Sequence, residues 1–247
     1  MLLWFRSFNR RRRVARYERE YGNNYPFRSI RVTLPKDLSF DVKNALLRNK
    51  YETEESGFIE EFMPADGDVI ELGGSVGVIA AFTRSRLQPA ARQVVVEANP
   101  ALAEICRRNV ASYDANGTST VIEAALSYSG QETVSFFVGD NPHVGRLGGG
   151  ADGRTITVPV TRLEDICADH GIGEFTLICD IEGAEVDMIE RSDIWKTRCR
   201  LIIMETHPDF YDNGVAAQSD LIARILQAGF VQLGARNNVY AFGKTDT

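Results

Sequence analysis

Two rhythms of apolar residues run along this chain. From Gly57 onward, short apolar runs alternate with segments whose apolar residues recur at helical spacing. Asp68-Val69-Ile70-Glu71-Leu72 runs into Gly73-Gly74, the pattern of a strand entering a tight turn, and Ala80 to Leu87 follows as a helix. Gln93 to Glu97 predicts the next strand. Asn99-Pro100 then opens a helix through Val110, with proline in the first turn, where its missing N–H costs nothing. Thr120 to Ala124 is a third strand.

The texture then changes. Glu132 to Val138 and Thr155 to Val160 both alternate apolar with polar residues, as half-buried strands do, and the Gly-rich stretch Gly139 to Gly153 joins them in a hairpin-like excursion. Beyond it, Leu163 to His170 reads as a helix, Phe175 to Asp180 as a buried strand, Ala184 to Ile194 as a helix and Leu201 to Met204 as another buried strand. Ala216 to Ala228 is helical, and Phe230 to Leu233 with Val239 to Phe242 closes the chain as a hairpin around Ala235-Arg236-Asn237-Asn238. Strands separated by helices pair in parallel through right-handed crossovers, which makes the fold class α/β with an open, doubly wound sheet. The closing hairpin adds one antiparallel strand, because so short a loop cannot join parallel neighbours. Residues 1–57 read as a basic extension with a lead-in element, including a strand near Arg31 to Pro35, and 58–247 as the main domain.

Composition changes this picture little. The chain has 247 residues, 44% of them hydrophobic, and a formal net charge of −6, as in an ordinary globular protein. No window approaches the length of apolar run needed to cross a bilayer. Cys106, Cys167, Cys179 and Cys199 are scattered singly and read as core thiols of a reducing compartment, and three histidines are too few for a His-rich metal centre. Charge is uneven, however: residues 1–31 carry nine arginines against Glu18 and Glu20. That segment reads either as a solvated helix or as a basic anchor for an anionic membrane face or acidic partner, with the body cytoplasmic. The acidic body argues against a nucleic-acid binder.

Ligands of such sheets bind outside the carboxyl ends of the strands. After the first strand, the glycines of Glu71-Leu72-Gly73-Gly74-Ser75-Val76-Gly77 let the backbone turn sharply beside a ligand. Glu71 would repel a pyrophosphate and suit a ligand carrying an ammonium group, which counts against a nicotinamide dinucleotide. Glu97, about 20 residues further on, is placed to accept both hydroxyls of a ribose, with Asn99 beside it. Glu123 and Ala124 would border an adenine. After the fourth strand, Asp180-Ile181-Glu182-Gly183-Ala184-Glu185 offers carboxylates that steady a cationic sulfonium or orient a substrate hydroxyl, unless Asp180 merely caps a helix. His207, in Glu205-Thr206-His207-Pro208, is the histidine expected at a strand's carboxyl end. His143 would reach the site only if the Gly-rich loop closed over it, and His170 ends a helix.

The ordered series Glu71 to Gly77, Val96 to Pro100, Ala125-Leu126-Ser127 before Gly130, Thr161 to Asp165, Cys179 to Glu185 and Met204 to His207 resembles the FkbM family of S-adenosylmethionine-dependent methyltransferases over about residues 55–242. The resemblance implies the class I methyltransferase fold, a doubly wound, mostly parallel, Rossmann-like sheet of seven strands with the last antiparallel. It also implies S-adenosyl-L-methionine as cofactor and O-methylation of a hydroxyl on a sugar, glycan or polyketide-type product. Two motifs depart from the family: Glu71 and Gly73-Gly74-Ser75 stand where it has Asp and Gly-Ala-Asn, and Glu97-Ala98-Asn99 where it has Glu-Pro-Asn. The altered first motif keeps open a non-catalytic, partner-binding domain of the same fold. In-line transfer to a hydroxyl requires a proton acceptor, for which His207, Asp180 and Glu182 are the candidates; a divalent cation on Asp180 and neighbouring acids is a further option.

Overall fold

The computed structural model describes residues 2–139, 145–147 and 153–245. The chain opens with α1 (Leu2–Tyr21), a hairpin of β1 (Asn24–Phe27) and β2 (Ile30–Thr33), then α2 (Phe40–Leu47) and α3 (Thr53–Phe62). The anticipated alternation follows as β3 (Asp68–Leu72), α4 (Val78–Arg86), β4 (Gln93–Glu97), α5 (Pro100–Ala111) and β5 (Ser119–Glu123). An excursion of β6 (Ala125–Leu126), β7 (Thr133–Gly139), β8 (Gly145–Leu147) and β9 (Gly153–Thr161) forms a small sheet of its own, with β7 and β9 antiparallel as their alternation suggested. The chain continues through α6 (Leu163–Asp169), β10 (Phe175–Cys179), α7 (Glu185–Arg191), α8 (Ile194–Arg198) and β11 (Cys199–Glu205). A 3-10 turn at Pro208–Phe210, α9 (Val215–Gln227), β12 (Phe230–Arg236) and β13 (Val239–Lys244) complete it.

The main sheet has seven strands in the order β12-β13-β11-β10-β3-β4-β5. All pairs are parallel except those of β13, which runs antiparallel to both β11 and β12. Strand order reverses between β3 and β10, so the turns after these two strands diverge and leave a crevice.

Strand parity divides the interior in two. Val69, Ile178, Leu201 and Ile203 face one layer, built by α3, α4 and the lead-in residues Tyr25, Phe27, Val32 and Leu34. Ile70, Leu72, Leu177, Ile202 and Met204 face the other, under α6 to α9, where Trp195 is fully buried. Both faces are covered, which is why these strands read as nearly continuous apolar runs. All four cysteines are buried and unpaired. The helix anticipated over Ala184 to Ile194 is divided into α7 and α8: Ser192 is extended, its hydroxyl donates to Glu164 Oε1 at 2.6 Å, and its oxygen receives the Ile194 N–H.

The lead-in region is built into this core. The 57/58 junction lies inside α3, and α1, though mostly exposed, is docked through fully buried Val14 and half-buried Tyr17 and Glu18. Arg10 pairs with Asp41 at 2.6 Å, Arg13 donates to Asn44 at 2.7 Å, and Arg11 stacks on Phe40. Lys43, fully buried, donates to Glu18 Oε1 at 2.8 Å and to the Lys36 carbonyl at 2.7 Å, while Tyr25 donates to the same Glu18 oxygen.

Removing the anion strands the buried ammonium, so Glu18→Ala should destabilise the protein by about 3 kcal/mol. Urea unfolding checks this: one shifted transition shows that α1 and the main sheet unfold together, whereas an unshifted main transition shows that they do not.

Candidate active site

The crevice widens into a cavity of about 310 Å³ at the carboxyl ends of β3, β4, β10 and β11. Its floor is the turn after β3. Gly73 has φ +93°, and a Cβ there would lie 1.8 Å from the Asp180 carbonyl oxygen, so only glycine lets the two turns approach. The turns are stitched to their neighbours: Asp180 N–H donates to the Leu72 carbonyl, and Gly73 and Gly74 N–H both donate to that of Val96. Ser75 and Glu182, facing each other across the crevice from these turns, both hold a positive φ of 45°. That conformation costs a non-glycine residue free energy and persists where surrounding structure imposes it.

Glu97 ends β4 at the cavity wall. Its Oε2 accepts from Ser75 N–H and its Oε1 from Asn99 N–H, both at 2.7 Å, while Asn99 caps α5 through Ala101 N–H. Burial pushes Glu97 up to about 7 despite those backbone donors. Val96, Ala98, Leu102, Ala124, Leu126 and Phe136 make this side of the cavity apolar, Phe136 coming from the inserted sheet.

The opposite wall is ionic. His207 Nδ1 stands 2.6 Å from Glu185 Oε1, and its Nε2 faces Asp180 Oδ1 at 3.3 Å. Glu185 is fully buried and also accepts from Gly183 N–H at 2.9 Å and Tyr211 OH at 3.3 Å; Tyr211 in turn accepts the His207 N–H. Burial alone would lower His207, but the bond to Glu185 and the charges of Glu185, Asp180 and Glu205 hold it up at about 9. Removal from bulk water and then Glu205 hold Asp180 well above the usual carboxylate range. Glu52, carried in from the lead-in region beside Tyr51, is raised to about 7 by burial and by Glu205 and Glu54.

The structure thus brings Gly73, Ser75, Glu97, Asn99, Ala124, Asp180, Glu182 and His207 to one cavity. It does not bring Glu71, Gly74, Gly77 or Glu123 there. Glu71 shares the strand face of Val69 and points at α4, where its Oε2 lies 3.4 Å from Gln93 Nε2 and its Oε1 has no hydrogen-bond partner. Gly74 packs on Val95, Gly77 on Cys106, and Glu123 pairs with Arg107 near the surface. His143 lies outside the described residues. Sequence reasoning missed Tyr51, Glu52 and the carboxylate of Glu205 in the cavity wall, and Glu55 buried beside them. Glu205 carried a signal, as an acid ending a strand; Tyr51, Glu52 and Glu55 had none, since no strand end precedes them.

A seven-stranded doubly wound sheet with one reversed strand, a glycine turn at its switch point and an acid ending the adjacent strand define a Rossmann-like methyltransferase fold. A precorrin-6y C5,15-methyltransferase from Geobacter metallireducens GS-15 has this fold at a TM-score of 0.50 and 12% identity, covering 90% of this chain and 100% of its own. An O-methyltransferase from Bacillus cereus, solved with SAH, superposes at a TM-score of 0.47 and 12% identity over 78% of this chain and 81% of its own. No curated protein matches the sequence significantly. Residues 71–231 match the family described as Methyltransferase FkbM domain. The chain belongs to that family and is a methyltransferase that uses S-adenosylmethionine.

The residues present fit this cofactor. Glu97 lines the cavity and spends one acceptor position of each oxygen on a backbone N–H, which leaves the others for ribose hydroxyls, and the apolar side suits an adenine.

Burial holds the Glu71 proton up to about 8 in the folded state, against about 4.3 in an unfolded chain, so its stabilising effect is complete below that lower value and lost as pH rises towards 8. Glu71→Gln should therefore raise the melting midpoint at pH 8, by roughly 2–4 °C for each kcal/mol relieved in a chain of this length, and the gain should vanish near pH 4. Differential scanning calorimetry across that range reads both ends.

Proposed function

We propose that this protein O-methylates a hydroxyl of a sugar, glycan or related natural product. The observation that carries the reading is the wall of Asp180, Glu182, Glu205, Glu52 and His207 facing the apolar side of the cavity. Carboxylates accept hydrogen bonds from acceptor hydroxyls, and Phe136 offers an apolar face to a sugar ring. Among the described residues no Lys or Arg lines the cavity, which disfavours phosphorylated acceptors and nucleic acid. No helix among the described residues is long and apolar enough to cross a membrane. We place the body in the cytoplasm, with the arginine-rich face of α1 open to an anionic membrane surface.

When bound, S-adenosylmethionine supplies an electrophilic methyl group and leaves as the neutral thioether once the acceptor oxygen has taken it. The chain's own residues align that oxygen and remove its proton. Glu97 and the glycine turn set the depth of the cofactor, and Asp180 with His207 orient the acceptor. His207 carries its proton at neutral pH and is not the base. Glu52 is: it borders the cavity, and with a pKa of about 7 it is half ionised at neutral pH yet basic enough to accept a proton.

Calorimetric titration should show micromolar binding of S-adenosylmethionine and S-adenosylhomocysteine, none of NAD, and loss of both in Glu97→Ala. Binding without transfer to any hydroxylated acceptor would favour a partner-binding domain instead. Glu52→Gln should lower kcat about 100-fold with cofactor affinity retained. Wild-type kcat/KM should rise with pH through about 7 as Glu52 ionises, and the variant should lack that limb. Unchanged turnover in Glu52→Gln removes the base assignment.

A further inference from the structure

The wall opposite the nucleoside side of the cavity holds a donor set with an outward-facing imidazole nitrogen. Asp180, Glu205 and His207 each present one ligand atom, and the three atoms lie within 4.8 Å of one another. Atoms bound at about 2.1 Å to a common ion stand roughly 3–4 Å apart, so modest side-chain rotation closes the set. The orientation of His207 is built in. Its Nδ1 is engaged by fully buried Glu185, which Gly183 N–H and Tyr211 OH also hold, so Nε2 is turned toward Asp180. A carboxylate on the far ring nitrogen is the usual support of a metal-bound histidine.

The surroundings are acidic. Glu55, only 3% exposed, faces Glu52, Asp180 and Glu205 and has no hydrogen-bond or ion-pair partner among the described residues. Glu52 and Glu205 border the same space, and no Lys or Arg lines it among the described residues. Nε2 and Asp180 Oδ1 face each other at 3.3 Å, a contact that the His207 proton bridges and that a divalent cation would take over by displacing that proton.

We propose that Asp180, Glu205 and His207 Nε2 bind a divalent cation, with Glu185 as the positioning residue for the histidine. Two carboxylates and one imidazole suit an ion that accepts both oxygen and nitrogen ligands, such as Mn²⁺. The ion's task, which rests on the O-methyl-transfer reading, is to hold the acceptor oxygen and lower the pKa of its hydroxyl, so that Glu52 removes the proton more easily. Binding itself does not depend on that reading.

The test is titration of the chelator-stripped full-length protein with Mn²⁺, following the free ion by electron paramagnetic resonance, without cofactor or acceptor. One equivalent should bind. Asp180→Asn and Glu205→Gln should each weaken binding at least 10-fold, Glu185→Gln 10–100-fold, and the surface variant Glu123→Gln not at all. Retained S-adenosylhomocysteine binding shows that each variant is folded. Absence of saturable Mn²⁺ binding up to millimolar concentrations overturns the proposal, since protonated His207 then carries the charge alone, as does binding that survives both Asp180→Asn and Glu205→Gln, since the ion then sits elsewhere. Saturable binding without methyl transfer to any hydroxylated acceptor upholds the ion site and counts against the acceptor reading only.

Discussion

The contact between Gly73 and the Asp180 carbonyl is the constraint on which the site depends. The two strands that flank the switch point deliver their chains to the same spot, and the turns approach so closely that even a methyl group would collide with backbone. That approach puts Ser75 and Glu182 on opposite lips of the crevice and turns Ser75 N–H onto Glu97. It also sets Asp180 against His207. The two walls of the cavity are thus positioned by one backbone contact rather than by two independent loops.

Electrostatics then divide the cavity. Glu97 is held by backbone donors and faces apolar neighbours, whereas Glu52, Glu55, Asp180, Glu185 and Glu205 share one region with a single histidine. Burial and neighbouring carboxylates raise Glu52 to near neutrality, while the bond to Glu185 and the surrounding carboxylate charges keep the proton on His207 above its ordinary range. A region so arranged is receptive to a positive centre, whether a proton, a sulfonium or a metal ion. Glu185 decides which ring nitrogen of His207 is offered to it.

The lead-in segment belongs to this machinery. The turn between α2 and α3 carries Tyr51 and Glu52 into the cavity wall, and α1 braces α2 through Lys43 and Glu18 and through its own arginines. The arginine run therefore has an internal use on one side of the helix. Exposed pairs such as Arg10–Asp41 add little energy individually. The buried Lys43–Glu18 pair matters because leaving either charge alone is costly.

Local pattern determined much of this protein. Strand boundaries at Asp68–Leu72 and Gln93–Glu97, the proline-started helix α5, the closing hairpin and the sites of Gly73, Glu97, Asp180 and His207 all follow from neighbouring residues, because periodicity and turn chemistry act over a few positions. Tertiary structure decided the rest. Glu71 sits in a motif that suggests a ligand contact, yet strand parity, a property of the sheet, sends it under α4. Glu123 ends a strand but leans out to Arg107. Tyr51, Glu52 and Glu55 are brought to the site from a region without a strand-end signal, and which carboxylates couple to His207 depends on elements distant along the chain closing on the same few ångströms. Such couplings have no local trace, since their energy comes from mutual burial and only the folded chain creates it.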